Sequence, residues 1–180
     1  MALSSDARLQ IVEELLAERA AALARAGCVV VSRGLDPEAV RSGRGKLPAW
    51  VVYYDADPDL QGLMLLELES YQAGDGLIPE PAQAKLTFES EPSPQLLIGD
   101  LEVYDPRRRS HSIGTRLLQA AQAIAEERGV SLYGHLSEVD DVERLFSFYR
   151  RLGFETQIWE KPKGPLVGEI RWTPRSSDAR

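Results

Sequence analysis

The chain has 180 residues, of which 43% are hydrophobic and 27% charged, a balance that suits one compact domain and excludes a disordered or fibrous chain. Its net charge of −7 disfavours a nucleic-acid surface, because phosphate backbones reward clustered positive charge, and suits a cationic substrate better. A single cysteine, two histidines and no apolar run near the roughly 20 residues of a membrane span argue against disulfides, a default metal site and membrane insertion, so a cytoplasmic protein is expected.

In chain order, Ser4, Ser5 and Asp6 can cap a helix whose Leu9, Val12, Leu16 and Leu23 recur at helical spacing, with Gly27 placed to stop it. CVVVS at 28–32 reads as a strand, and Asp36, Pro37 and Glu38 as the start of a short helix, since Asp caps and Pro suits the first turn. Three strand-like runs follow at 49–55, 62–70 and 84–90, with a loop at 73–84, and then a further strand at 95–105 that Pro106 closes by withholding a ladder donor. Ile113, Leu117, Leu118, Ala121, Ile124 and Ala125 lie on one helical face that Gly129 ends. SLYGHL at 131–136 returns as a strand. Ser137 and Asp140 then offer a capping-box-like start to a helix whose Val142, Leu145, Phe146, Tyr149 and Leu152 form its apolar stripe. Residues 154–160 and 166–172 close as a β-pair across KPKG. Residues 1–175 are thus expected to form a single domain with a disordered tail at 176–180, and the alternation in the second half implies an α/β layer with a parallel crossover.

The chemistry concentrates where a strand hands over to a helix. A small-residue loop there presents free backbone N–H groups and the positive end of a helix dipole, which together bind phosphate. RSHSIGT at 109–115 has that layout, with Arg107, Arg108, Arg109 and Arg116 supplying positive charge around it. Alone, one glycine and some arginines read equally as a solvated basic turn. Asp100 and Glu102, two apart on the preceding strand, project their carboxylates to one face, as a base or as ordinary strand patterning. Tyr149 by itself reads as a core residue with a bonded hydroxyl, and His135 as a structural histidine near a strand end.

The strand, the loop RRRSHSIGTRLL and the later FYRRLGF at 148–154 resemble the GNAT family of N-acetyltransferases over residues 96 to 160. The family loop Q/R-x-x-G-x-G/A stands here as Arg109, Ser110, His111, Ser112, Ile113, Gly114, with Ser112 replacing the first glycine. The resemblance implies a GNAT-like acyl-CoA N-acyltransferase fold, α/β or α+β by some schemes, with a mixed, mostly antiparallel sheet, one parallel splay, flanking helices and an atypical N-terminal half. It implies that the amides of Ser110, His111, Ser112, Ile113, Gly114 and Thr115, beside Arg109, hold the pyrophosphate of acetyl-CoA or another acyl-CoA as co-substrate. By the same resemblance Glu102, Val103 and Tyr104 pair with pantetheine and the acyl carbonyl, and Tyr149 gives a proton to the departing thiolate. The implied activity is direct transfer of acetyl to a primary amine of a small molecule or peptide, without a metal, with a non-catalytic acyl-CoA-binding module as the alternative. Such proteins often form homodimers. Val142 stands where the family often carries asparagine.

Overall fold

The computed structural model describes residues 4–42, 49–56, 62–67, 84–89, 95–103 and 112–174. The proposed loop residues Arg109, Ser110 and His111, with Tyr104 and the tail at 176–180, lie outside them.

The described residues gather in two compact units, one built from residues up to Leu86 plus Leu101–Ala120, the other from Thr87–Asp100 and Ala121 onward. The first opens with α1 (Ser5–Arg25), where the Ser4 side chain accepts from Ala7 N–H as the sequence leads one to expect. β1 (Cys28–Leu35) outruns the predicted strand, because a bulge between Val30 and Ser32 lets it follow β2 (Ala49–Asp55) along its whole length. Between them α2 (Pro37–Ser42) starts on Asp36, whose carboxylate accepts from the N–H groups of Glu38 and Ala39. β2 also pairs antiparallel with β3 (Gly62–Glu67). α1 packs across β1, β2 and α2, burying Val12, Leu16 and Leu23 with Val40, Ala49 and Val51. At roughly 25 cal/mol per Å² of apolar surface removed from water, each of the valine and leucine side chains contributes on the order of 2 kcal/mol.

β4 (Ala84–Glu89) runs from the first unit into the second. The second unit is built on a four-strand order, β5–β6–β8–β7, from β5 (Gln95–Val103), which belongs to it as far as Asp100, β6 (Ser131–Ser137), β7 (Glu155–Lys163) and β8 (Leu166–Trp172). The β5/β6 pair is parallel, the other two antiparallel, so the mixed, mostly antiparallel pairing expected for this fold class is what the chain adopts. α3 (Ile113–Arg128) supplies the crossover that a parallel pair requires, and α4 (Val142–Arg151) leads from β6 to β7.

Two local expectations need correction. α4 is capped by Asp141, which accepts from Arg144 N–H, whereas the carboxylate of Asp140 turns back to accept from Ser137 N–H. Two adjacent aspartates competed for the cap, and the one directly before the helix took it. β7 extends through Pro162, placed in the sequence reading in a loop, because β7 is paired only with β8 and its register shifts between Ile158 and Lys163. Close packing of that hairpin depends on Gly168. A Cβ there would run into the backbone carbonyl oxygen of Gln157, which cannot rotate aside. Gly168→Ala is therefore expected to cost about 1–3 kcal/mol in urea unfolding, and an unchanged midpoint would contradict this packing.

Candidate functional site

The parallel ladder between β5 and β6 is short. Among the described residues it runs from Gln95↔Ser131 to Ile98↔Gly134 and stops, although β5 continues through Gly99 and Asp100 to Val103, and β6 through His135 to Ser137. Backbone groups on the facing edges beyond that rung are no longer spent on each other. Gly99 and Asp100 are exposed at this point, as is His135.

Tyr149 belongs to the same unit. Its side chain is 7% exposed, and its ring meets Phe154 and Phe148 edge-on at centroid distances of 5.4 and 5.2 Å. A tyrosine buried only for packing is expected to bond its hydroxyl, yet among the described residues none pairs with this one. Burial, then the charges of Asp140 and Asp100, push its phenol from the usual 10.0 up to about 12, so it is a neutral proton donor at any working pH. Asp100 is thus near enough to act on Tyr149 electrostatically. Glu102, two residues further along β5 and exposed, projects to the same face of the strand.

The first unit holds the helix entry. Ser112 immediately precedes α3, and its carbonyl accepts the first intrahelical bond from Arg116 N–H at 3.1 Å. The N–H groups of Ile113, Gly114 and Thr115 therefore have no acceptor within the helix. Ser112 carries φ of 64°, left-handed backbone that costs a non-glycine residue about 1–2 kcal/mol. That geometry gives the glycine of the expected loop pattern its physical meaning, since the turn is kept here even with serine. Such a turn into free amides at a helix N-terminus fits an anionic phosphate. Arg116, one turn in, stacks its guanidinium 4.1 Å from the ring centroid of Trp50, which holds its charge in place. Val103 is half-buried at the end of β5. Among the described residues no group of three His, Cys, Asp or Glu side chains is arranged to hold a metal ion, and no helix is long and apolar enough to cross a membrane.

Residues 82–154 match the model of the acetyltransferase (GNAT) family. The family relationship expected from the loop and from FYRRLGF is thereby shown for the segment running from β4 to the end of α4. No curated protein sequence matches the chain. Solved structures similar to it include Ard1 from Thermoplasma volcanium, at 13% identity over 64% of this chain and 72% of that one, with a TM-score of 0.47. Another is the ribosomal-protein-S18-alanine N-acetyltransferase from Escherichia coli, at 14% identity, 84% and 85% coverage and a TM-score of 0.41. A third is Naa50 from Arabidopsis thaliana in complex with the bisubstrate analogue CoA-Ac-MVNAL, at 18% identity, 69% and 72% coverage and a TM-score of 0.37. All three scores fall below 0.5, where a likeness does not bear on chemistry. The family match supports acetyltransferase chemistry with acyl-CoA at the level of the family.

Two measurements check these local states. Because the phenol of Tyr149 ionises near 10 when unfolded and near 12 when folded, the stability it confers is complete below pH 10 and is lost as pH rises through 12. The wild type should lose about 2 kcal/mol more than Tyr149→Phe between pH 9 and 12 in urea melts, and parallel curves would refute the shifted phenol. Ser112→Gly should raise stability by about 1 kcal/mol through relief of the left-handed strain, and a loss of that size would show that the hydroxyl outweighs it.

Proposed function

We propose that this chain transfers an acyl group, acetyl by preference, from coenzyme A to a primary amine of a small molecule or peptide, by direct attack and without a covalent enzyme intermediate. The observation that carries this reading is the parallel ladder that stops at Ile98 and Gly134 in the same unit as a buried, protonated Tyr149 whose hydroxyl is unspent among the described residues. Free strand-edge amides can receive a thioester carbonyl and stabilise the oxyanion that grows on it.

In this reading the amides of Ser112, Ile113, Gly114 and Thr115, continuing Arg109, Ser110 and His111, bind the pyrophosphate. Backbone groups of Glu102, Val103 and Tyr104 align pantetheine. The amine, which attacks only when unprotonated and has a pKa near 10.4 if lysine-like, must first give up a proton, for which Asp100 and Glu102 are candidates. C–N bond formation produces the tetrahedral intermediate, and C–S cleavage releases the thiol. Handing a proton from a phenol near 12 to a free thiolate near 8.5 is uphill by about 5 kcal/mol, so Tyr149 acts chiefly as a hydrogen-bond donor to charge growing on sulfur, its proton crossing as the C–S bond breaks. The overall charge of −7 favours a cationic acceptor.

Tyr149→Phe is expected to lower kcat about 10²-fold while leaving the dissociation constant of acetyl-CoA unchanged, read by thiol release and calorimetry. Coenzyme A binding without thiol release from any amine, and indifferent to Tyr149→Phe, would favour a non-catalytic binding module. A silent calorimeter would overturn both.

A further inference from the structure

On β6, Leu132, Gly134 and Leu136 are buried, so Tyr133 and His135 project to the opposite face. Across the ladder, β8 sets Arg171 beside Tyr133 and Glu169 beside His135. The Tyr133 hydroxyl donates to Glu169 Oε2 at 3.0 Å and lies 3.0 Å from His135 Nε2. A phenol has one proton and a carboxylate accepts only, so with that proton directed to Glu169 the phenolic oxygen must accept from Nε2–H of His135. The tautomer follows: Nε2 carries the hydrogen, and Nδ1 keeps its lone pair. Trp159 holds the ring edge-on at a centroid distance of 5.8 Å, and Tyr133 does so at 4.9 Å.

The place of this ring in the fold gives the lone pair a use. His135 is the first residue of β6 beyond the last rung shared with β5, and it is exposed. Asp100 follows Ile98 by two residues and therefore shares the face of Ile98 and Gly134, opposite His135, and it is Asp100 whose charge acts on Tyr149. A group leaving toward Tyr149 and a nucleophile arriving past His135 would reach a carbonyl held in the gap from opposite faces. Resting on the acyl-transfer reading above, we propose that His135 is the base that deprotonates the amine acceptor, and that Tyr133 and Glu169 are the positioning residues that keep its Nδ1 free to do so.

The protons balance. The ammonium yields one proton to Nδ1 and through the exposed ring to water, the neutral nitrogen forms the C–N bond, and the second N–H proton replaces the one that reaches sulfur when the C–S bond breaks. Glu169 stabilises the imidazolium through Tyr133, while Arg171, stacked 5.6 Å from the Tyr133 ring centroid, and Lys163, 4.2 Å from that of Trp159, oppose it. Glu155 lies opposite Arg171 in the register and offsets part of that charge. Gly99, the first residue of β5 beyond the last rung, carries no side chain to compete.

The test uses the full chain, acetyl-CoA, and as acceptors a diamine, a lysyl peptide and an alanyl-terminated peptide, read by thiol release from pH 5.5 to 9.5. His135→Gln should lower kcat/KM about 10²-fold and flatten the acid limb of its pH profile, with acetyl-CoA affinity unchanged in calorimetry. Tyr133→Phe and Glu169→Gln should lower it about tenfold and displace that limb rather than abolish it. Nitrogen-15 correlation spectra of the histidine rings, assigned with His135→Gln, should show the Nε2–H tautomer at His135 and its loss in Tyr133→Phe. Wild-type turnover with an unaltered profile in His135→Gln, or an Nδ1–H tautomer in the wild type, overturns this inference alone. Absence of thiol release by the wild type overturns the acyl-transfer reading, and this inference with it.

Discussion

Everything proposed for this chain depends on one failure of pairing. Two parallel strands normally spend their backbone donors and acceptors on each other until one of them ends. Here β5 and β6 part after Ile98 and Gly134 while both continue as strands. Backbone groups released in this way can pair with water or with a ligand, and a polar extended ligand with its own carbonyl and amide groups is what such edges can satisfy. β6 can diverge without unravelling because its other edge is held by β8, whose register with it continues to Ser137. Gly168, across from Leu136 on one side and Ile158 on the other, lets β7 pack closely against β8 in turn.

The residues that could work at the gap draw on different sources of energy. Tyr149 is kept protonated by exclusion from water and by carboxylates at Asp140 and Asp100, so its protonation is fixed by its surroundings rather than tuned by pH. His135 keeps its ring in the solvent and gains its orientation from a hydrogen-bond chain through Tyr133 to Glu169. One group is thus preorganised by burial and the other by polar contacts. At the entrance to α3, Ser112 stores a modest strain in its left-handed backbone.

Much of this was legible in the residues because the signals were local. Ser4 and Asp36 accept from the first-turn N–H groups of their helices, as their types and positions dictate. The apolar period of Ile113 to Ala125 marked α3, and Gly129, at φ of 65°, ends it. The cap of α4 was misplaced because Asp140 and Asp141 are chemically equal, and only the geometry of the turn after β6 decides between them. Pro162 read as a loop residue because nothing in the local sequence says that β7 is paired on one side only.

The candidate site divided along the same line. The loop and Tyr149 stand as candidates on motifs alone, while the meaning of Ser112 needed a backbone angle that composition cannot give. The link from His135 to Glu169 joins residues 34 apart through a tyrosine whose partner is set by strand register, so a lone histidine in SLYGHL carried no visible sign of it. The most direct test of the account is a crystal structure of the chain with acetyl-CoA. It should place the thioester in the gap beyond Ile98 and Gly134, with its sulfur within hydrogen-bonding distance of the Tyr149 hydroxyl. A thioester bound elsewhere, or β5 and β6 closed on each other with the cofactor present, would contradict it.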